Sequence, residues 1–297
     1  MISDDIARLA KERNAVILAH NYCRAEVQDV ADFTGDSLEL ARKAAQVDAD
    51  VIVFCGVYFM AETAKILNPT KTVLIPDPTA GCPMADMITA EELRAFKARN
   101  PGAKAVCYVN STAEVKAECD ICVTSGNAEK VLSTMKGEKI LFVPDQHLGS
   151  YVAGRLGEKY ECWQGCCPVH AALSREAVDE ARARFPDAPV FAHPECNGAV
   201  RDAADECLST GGMCARAKEI DARRILVATE EGILHRLRKE NPDKEFSPIG
   251  SLVCGDMKKS TLENVRDALM FMRHEVVVPE EISKKAKRAI DAMLEIK

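Results

Sequence analysis

The chain has 297 residues, 47% hydrophobic and 29% charged, with Gly 16 and Pro 13, which excludes a disordered or collagen-like chain and leaves length for two domains. A formal net charge of −7 argues against a phosphate-backbone partner, so no nucleic acid is expected. The count that needs explaining is Cys 13, odd in number and high for a chain large enough to fold without staples.

The opening Met1-Ile-Ser-Asp-Asp5 has neither a basic n-region nor an apolar h-region. The longest apolar run, Val51 to Ala61, is eleven residues, and a membrane span needs about 20. The expectation is a cytoplasmic protein without a membrane partner, whose thiols are buried, metal-bound or redox-active. Val16-Ile-Leu-Ala19, Val51-Ile-Val-Phe54 and Thr72-Val-Leu-Ile75 are apolar at every position, as suits parallel strands covered by helices on both faces. After Cys82, a capping box at Thr89-Ala-Glu-Glu92 opens a helix, Asn100-Pro-Gly102 stops it, and a strand follows at 105–109. Ile121-Cys-Val123 and Ile140-Leu-Phe-Val143 continue the pattern. After Cys167, Ser174 opens a helix that Pro186 ends, then come Val190-Phe-Ala192, Ile225-Leu-Val-Ala228 and a weaker strand at 246–249. After Cys254, Ser260-Thr-Leu-Glu263 reads as another capping box, with a helix to about 272 and a strand at Val276-Val-Val278.

Cys82 and Cys167 are 85 residues apart, Cys167 and Cys254 are 87, and each is followed by a helix and a strand at nearly equal distance. This is internal triplication. It predicts three small α/β repeats, 1–86, 87–172 and 173–260, with 261–297 folding back to complete repeat one. Polar residues follow the strands: His20-Asn-Tyr22, Tyr108-Val-Asn-Ser111 and His193-Pro-Glu-Cys196 after the first of each repeat, then Cys55-Gly56, Thr124-Ser-Gly126 and Thr229-Glu-Glu231 after the second. Ligands bind beyond the carboxyl ends of parallel strands, so three mouths facing one centre would deliver one thiolate each. Three such thiolates suit zinc or an iron–sulfur cluster, and buried structural cysteines account for the spacing as well. Cys119-Asp-Ile-Cys122 is a lone pair whose second member falls inside a strand, hence a core thiol. Ser125 and Ser209-Thr-Gly-Gly212 each precede a helix, where free backbone N–H groups attract carboxylates or phosphates and where plain capping is the simpler role. Ser37 follows Asp36, itself a cap candidate. Neither a Gly-x-Gly-x-x-Gly nor a Gly-x-x-x-x-Gly-Lys loop occurs, so nucleotide cofactors are not indicated.

Leu18-Ala-His-Asn-Tyr22, Gly35-Asp-Ser-Leu38, Gly81-Cys-Pro-Met-Ala85, Tyr108-Val-Asn-Ser111, Thr124-Ser-Gly-Asn127, Val143-Pro-Asp145, Trp163-x-Gly-x-Cys167-x-Val-His170, His193-Pro-Glu-Cys196, Ser209-Thr-Gly-Gly212 and Met257-Lys258 resemble, in order and over nearly the whole chain, the pattern of the quinolinate synthase A family. The resemblance implies three pseudo-symmetric αβα domains around a [4Fe–4S] cluster held by Cys82, Cys167 and Cys254. It also implies a reaction: iminoaspartate and dihydroxyacetone phosphate condense to quinolinate, phosphate and water in NAD biosynthesis, the imine being handed over by an aspartate-oxidising enzyme. The Cys-x-x-Cys-x-x-Cys stretch of some members is absent at Cys254-Gly-Asp-Met257. Substrate binding maps onto His20, Ser37, Tyr108, Asn110, Ser125, His193, Glu195, Ser209 and Thr210. Glu195 is the candidate general base beside His193, Tyr22 and Tyr108 are candidate proton donors, and His170 would orient the second ligand. Two other readings are an iron–sulfur sensor and a zinc-dependent hydrolase, the latter from the His-x-Glu half of a zinc-deaminase motif at His193-Pro-Glu195.

Overall fold

The computed structural model describes residues 1–296. Three four-stranded sheets form. The first contains β1 (Ala15–His20), β2 (Phe33–Gly35), β3 (Val51–Cys55) and β4 (Thr72–Leu74); the second β5 (Lys104–Tyr108), β6 (Ile121–Val123), β7 (Ile140–Val143) and β8 (Glu161–Cys162); the third β9 (Val190–Ala192), β10 (Glu206–Cys207), β11 (Arg224–Ala228) and β12 (Glu245–Pro248). Every pairing between them is parallel, and all three sheets run in the order second, first, third, fourth. The fold is therefore α/β with three pseudo-symmetric αβα layers, as the sequence predicts.

One contact recurs in each layer. The backbone N–H groups of Ile17, Ala105 and Val190, at or near the start of each first strand, donate to the carboxylates of Asp32, Asp120 and Asp205 at 2.8, 2.8 and 2.7 Å. Those aspartates return their own N–H to the same three residues' carbonyls at 2.9, 2.9 and 3.0 Å. The pair fixes the register of the second strand on the first, which short edge strands cannot fix by side-chain packing.

Strands apolar at every position have two faces to bury, and both are covered. In the first sheet Val16, Leu18, Ile52 and Phe54 face the helices Ser37–Ala44 and Tyr58–Leu67, in a core continuous with Phe191, Ile225 and Val227 of the third sheet. Ile17, Ala19, Val53 and Cys55 face the opposite way, onto the helices Ile2–Glu12 and Leu262–Phe271. Each such aliphatic side chain contributes about 1.5–3 kcal/mol by leaving water. Among the described residues, no helix is long and apolar enough to cross a membrane.

The structure departs from the sequence reading at the tail and at the short strands. The tail helix is capped by Thr261, whose hydroxyl accepts from the Asn264 N–H at 3.2 Å, because Met257–Lys259 first forms a 3-10 turn and leaves Ser260 extended. No strand forms at 276–278. Left-handed Met272 and His274 turn the chain so that it meets β4 antiparallel, through one bridge between Leu74 and Glu275, and Val277 is 71% exposed. The final helix, Glu280–Glu295, was expected over repeat one; its Ala286, Ala289, Ile290 and Met293 instead join the second layer's core, with repeat one touched through the helix Tyr58–Leu67. β2, β8 and β10 escape the sequence reading because each is two or three residues long and partly polar.

Layers one and two are tied by a buried cation. Lys116 is 0% exposed, and its ammonium donates to Phe59 O, Thr63 Oγ1 and Ser111 O at 3.3, 3.0 and 2.8 Å, beside the largely buried Glu62. It thus joins the helix after β3 to the turn after β5. Lys116→Met should lower stability by about 3 kcal/mol, since three carbonyl or hydroxyl acceptors and Glu62 lose their cation; urea unfolding measures it, and a loss under about 1 kcal/mol would show that the tie is unimportant.

Candidate active site

Because all strands run parallel, the loops at their carboxyl ends gather in one place, and a cavity of about 250 Å³ opens there among all three layers. Each strand rank supplies one kind of residue. The first strands end in His20 and Tyr22, Tyr108 and Asn110, His193 and Glu195. The second strands end in Ser37, Ser125 and Thr210. The fourth strands lead to Cys82, Cys167 and Cys254. All twelve of these expected site residues line the cavity. Ser209 does not: its Oγ accepts from the Gly212 N–H at 3.1 Å and donates to Asp36 at 3.2 Å, capping the helix Thr210–Glu219. Asp36, not Ser37, caps the helix Ser37–Ala44. The sequence reading paired Thr124 with Cys55 and Thr229; Thr124 follows a second strand and the other two follow third strands, a slip caused by the unseen β2 and β10.

A chain of hydrogen bonds crosses the cavity wall. Tyr22 Oη lies 2.5 Å from Thr229 Oγ1, which lies 2.7 Å from His170 Nε2; His170 Nδ1 is 2.8 Å from Glu195 Oε2 and 3.2 Å from Cys167 Sγ. Tyr108 donates to Glu195 Oε1 at 2.5 Å, and the Asn110 amide approaches the same oxygen at 3.4 Å. One assignment satisfies every member: Tyr22 donates to Thr229, Thr229 to His170 Nε2, and protonated Nδ1 to Glu195. Burial acts to raise the Glu195 carboxyl, but His193, His170 and the donated hydrogen bonds outweigh it and hold the group below the usual carboxylate range. Burial likewise lowers His20 to about 3 and His193 to about 4, so both are neutral near pH 7. Thr229, Glu230 and Lys258 are the participants whose importance the sequence did not disclose. Thr229 and Glu230 were read only as strand-end residues, and no local spacing links them to Tyr22 or Cys254.

The three cysteines have the same surroundings. Backbone N–H groups beside each sulfur, of Met84 and Ala85, of Val169 and His170, and of Asp256 and Met257, act to lower its thiol pKa. Each carbonyl accepts a further N–H from four residues on, in Asp86, Ala171 and Lys258, at 3.2, 2.9 and 3.2 Å. Donors aimed at sulfur suit a thiolate. Burial nevertheless pushes all three thiols up, Cys82 to about 12, so full ionisation requires a positive charge in the cavity. This donor set fits a thiolate-bound metal cofactor. The Trp163 indole N–H donates to Met87 O at 2.7 Å, clasping the turn that carries Cys167 to the turn that carries Cys82. Cys166, next to Cys167, does not line the cavity.

A sequence model described as quinolinate synthetase A protein matches residues 4–295. The chain belongs to the quinolinate synthetase A family. It is 56% identical over 297 residues to the quinolinate synthase of Dehalococcoides mccartyi (strain CBDB1), covering 100% of this chain and 98% of that one. Identity is 54% with the quinolinate synthase of Geobacter sp. (strain M21), at 99% and 97% coverage, and 49% with that of Aquifex aeolicus (strain VF5), at 99% and 94%. Membership in the quinolinate synthetase A family makes the chain an enzyme acting on small molecules, and neither the sensor nor the zinc-hydrolase reading gains support.

The buried neutral histidine predicts an acid limb of stability. His20 binds a proton near 6.5 when unfolded and near 3 when folded, so the unfolded state carries more protons between these values and stability falls as pH drops from 6.5 towards 3. Urea unfolding across this range should give a shallower decline for His20→Asn than for the unsubstituted protein; parallel slopes would show that His20 does not contribute.

Proposed function

We propose that the enzyme condenses iminoaspartate with dihydroxyacetone phosphate to quinolinate, phosphate and two waters, and that Cys82, Cys167 and Cys254 hold a [4Fe–4S] cluster. The observation that carries this reading is the triple repetition of a cavity-lining cysteine that opens an equivalent turn, its carbonyl accepting the N–H four residues on. A single zinc ion would draw its sulfurs to within about 4.6 Å of one another, twice a Zn–S bond. Among the described residues, only Cys167, His170 and Glu195 bring three metal-binding atoms within 4.8 Å of one another. The three sulfurs are therefore not drawn together as a single zinc ion would draw them. Bound by three cysteines, such a cluster keeps one iron free of protein ligands and supplies a Lewis acid for loss of a hydroxyl group.

The chain's own residues supply the remaining functions. Glu195, ionised and buried, removes protons from carbon or nitrogen in the imine and enol steps. Tyr108, donating to Glu195, and Tyr22, connected to it through Thr229 and His170, return protons to leaving oxygens. Neutral His20 and His193 offer hydrogen bonds without fixing a net charge. Ser37, Ser125, Thr210 and Asn110 bind the substrates' carboxylates and phosphate from the second-strand and first-strand ends. An aspartate-oxidising enzyme is the natural source of the unstable imine.

Anaerobic purification with iron and sulfide counting, followed by assay for quinolinate from the two substrates, tests the reading. Alanine at Cys82, Cys167 or Cys254 should abolish the bound cluster and turnover, while Cys166→Ala keeps both; a Cys254→Ala protein with full iron and activity would overturn the ligand assignment. Glu195→Gln should keep iron and fold and lose roughly 10²–10⁴ in kcat; near-normal turnover would remove it from the base role.

A further inference from the structure

The third ligand turn is held differently from the other two. The first and second clasp each other through Trp163 and Met87, whereas Cys254 sits between Val253, 44% exposed, and exposed Gly255. Outside it lies an open groove of about 1220 Å³, lined in part by Arg24, Gly232, Val253, Gly255 and Lys258. Gly255 borders both this groove and the central cavity, so the wall between them is one turn thick.

An ion pair stands in that wall. Glu230, 0% exposed at the end of β11, accepts from Lys258 Nζ at 2.7 Å and from the Cys254 N–H at 3.1 Å through the same Oε1, while Oε2 accepts from the Gly232 N–H at 2.7 Å. Lys258 Nζ also donates to the Tyr22 carbonyl at 2.6 Å, and the Lys258 carbonyl accepts from Arg24 Nε at 2.7 Å. Glu230 belongs to the third layer, Lys258 to the ligand turn, and Tyr22 and Arg24 to the first layer. A Cβ on Gly232 would lie 2.7 Å from Lys258 Nζ, 2.7 Å from Tyr22 O and 2.8 Å from Glu230 Oε2, so the convergence depends on glycine.

We propose that the Glu230–Lys258 pair is a positioning device for the third metal ligand, which holds the Cys254 turn against the first layer and keeps the bound cluster separate from the outer groove. The inference rests on the cluster reading above. A buried pair of this kind fixes geometry more than it adds stability, and removing one member leaves the other charged and unsatisfied. Neither residue touches the sulfur; both act through the Cys254 backbone, as groups behind a ligand commonly do.

The test uses the full-length, anaerobically reconstituted protein, with iron release to an excess of chelator as the readout and the electron-paramagnetic signal of the reduced cluster as a second. Lys258→Met and Glu230→Gln should each speed iron release by roughly 10–100-fold and alter the signal, and the double variant should be little worse than either single one. Glu230→Gln keeps the side chain's size and one acceptor oxygen, which can serve the Cys254 N–H or the Gly232 N–H but not both, so it remains informative where Lys258→Met does not fold. Unchanged release and signal in Glu230→Gln, alongside a Cys254→Ala protein that loses iron, would overturn the positioning role and leave the cluster reading intact. A Cys254→Ala protein that retains full iron would overturn the cluster reading itself.

Discussion

Parallel strands place every crossover loop of one hand at the same end of a sheet, and three such sheets meeting at those ends determine what the cavity can contain. The order second, first, third, fourth repeats in each layer, so equivalent strand ends arrive at equivalent positions around a pseudo-three-fold centre. First strands bring imidazoles, phenols, an amide and a carboxylate; second strands bring hydroxyls; fourth strands bring thiols. The aspartate that closes the start of each second strand onto the first holds this arrangement, because a slip of one residue would turn each set of side chains to the other face. Chemistry is thus divided by strand rank, and symmetry supplies the cavity with three equivalent thiols that an asymmetric fold would have to place one by one.

The three layers are not equal elsewhere, and the inequality makes the site directional. His20, Tyr108 and His193 occupy corresponding strand ends, as do Tyr22, Asn110 and Glu195, yet only the third layer carries the carboxylate. Glu195 is buried without a lysine or arginine among its hydrogen-bond partners; it is stabilised by Tyr108, Asn110 and His170, contributed by the second layer. The imidazoles beside this carboxylate and the hydrogen bonds donated to it hold it ionised in a buried place without an arginine partner. The chain from Tyr22 through Thr229 and His170 to Glu195 crosses all three layers, so the carboxylate is coupled to a phenol on the far wall.

What was legible in the sequence follows physical strength. Fully apolar strands such as Val51–Cys55 declare themselves, and so do capped helices such as Ala90–Ala98. The cysteine spacing was legible because the turns that carry Cys82, Cys167 and Cys254 repeat with the layers. The short edges were not: Glu206–Cys207 has two residues and is held by backbone bonds and by Asp205, which leave no hydrophobic signature. Missing those strands displaced the comparison of strand ends and hid the correspondence of Ser37, Ser125 and Thr210. Within the tail, Leu262–Phe271 covers the first sheet, whereas the apolar face of Glu280–Glu295 records that it is buried and not which layer buries it.

The helix start after β10 shows how a sequence signal can be right about chemistry and wrong about its partner. Ser209-Thr-Gly-Gly212 has the form of an anion cradle, and an anion is indeed bound there: the Asp36 carboxylate of the first layer, through Ser209 Oγ and the Gly211 N–H, both at 3.2 Å. A Cβ on Gly211 would come within 2.6 Å of Asp36 Oδ2, so the glycine serves this internal contact. The helix terminus therefore helps dock one layer on another, and what remains for the cavity is the Thr210 side chain. Its Oγ1 accepts from the Asn21 amide at 2.9 Å, while Asn21 Oδ1 accepts from Arg236 at 3.0 Å. With one lone pair engaged by Asn21, the Thr210 hydroxyl keeps its proton free to donate. The contact with Asn21 fixes this hydroxyl in place at the cavity wall, as a mobile surface side chain would not be.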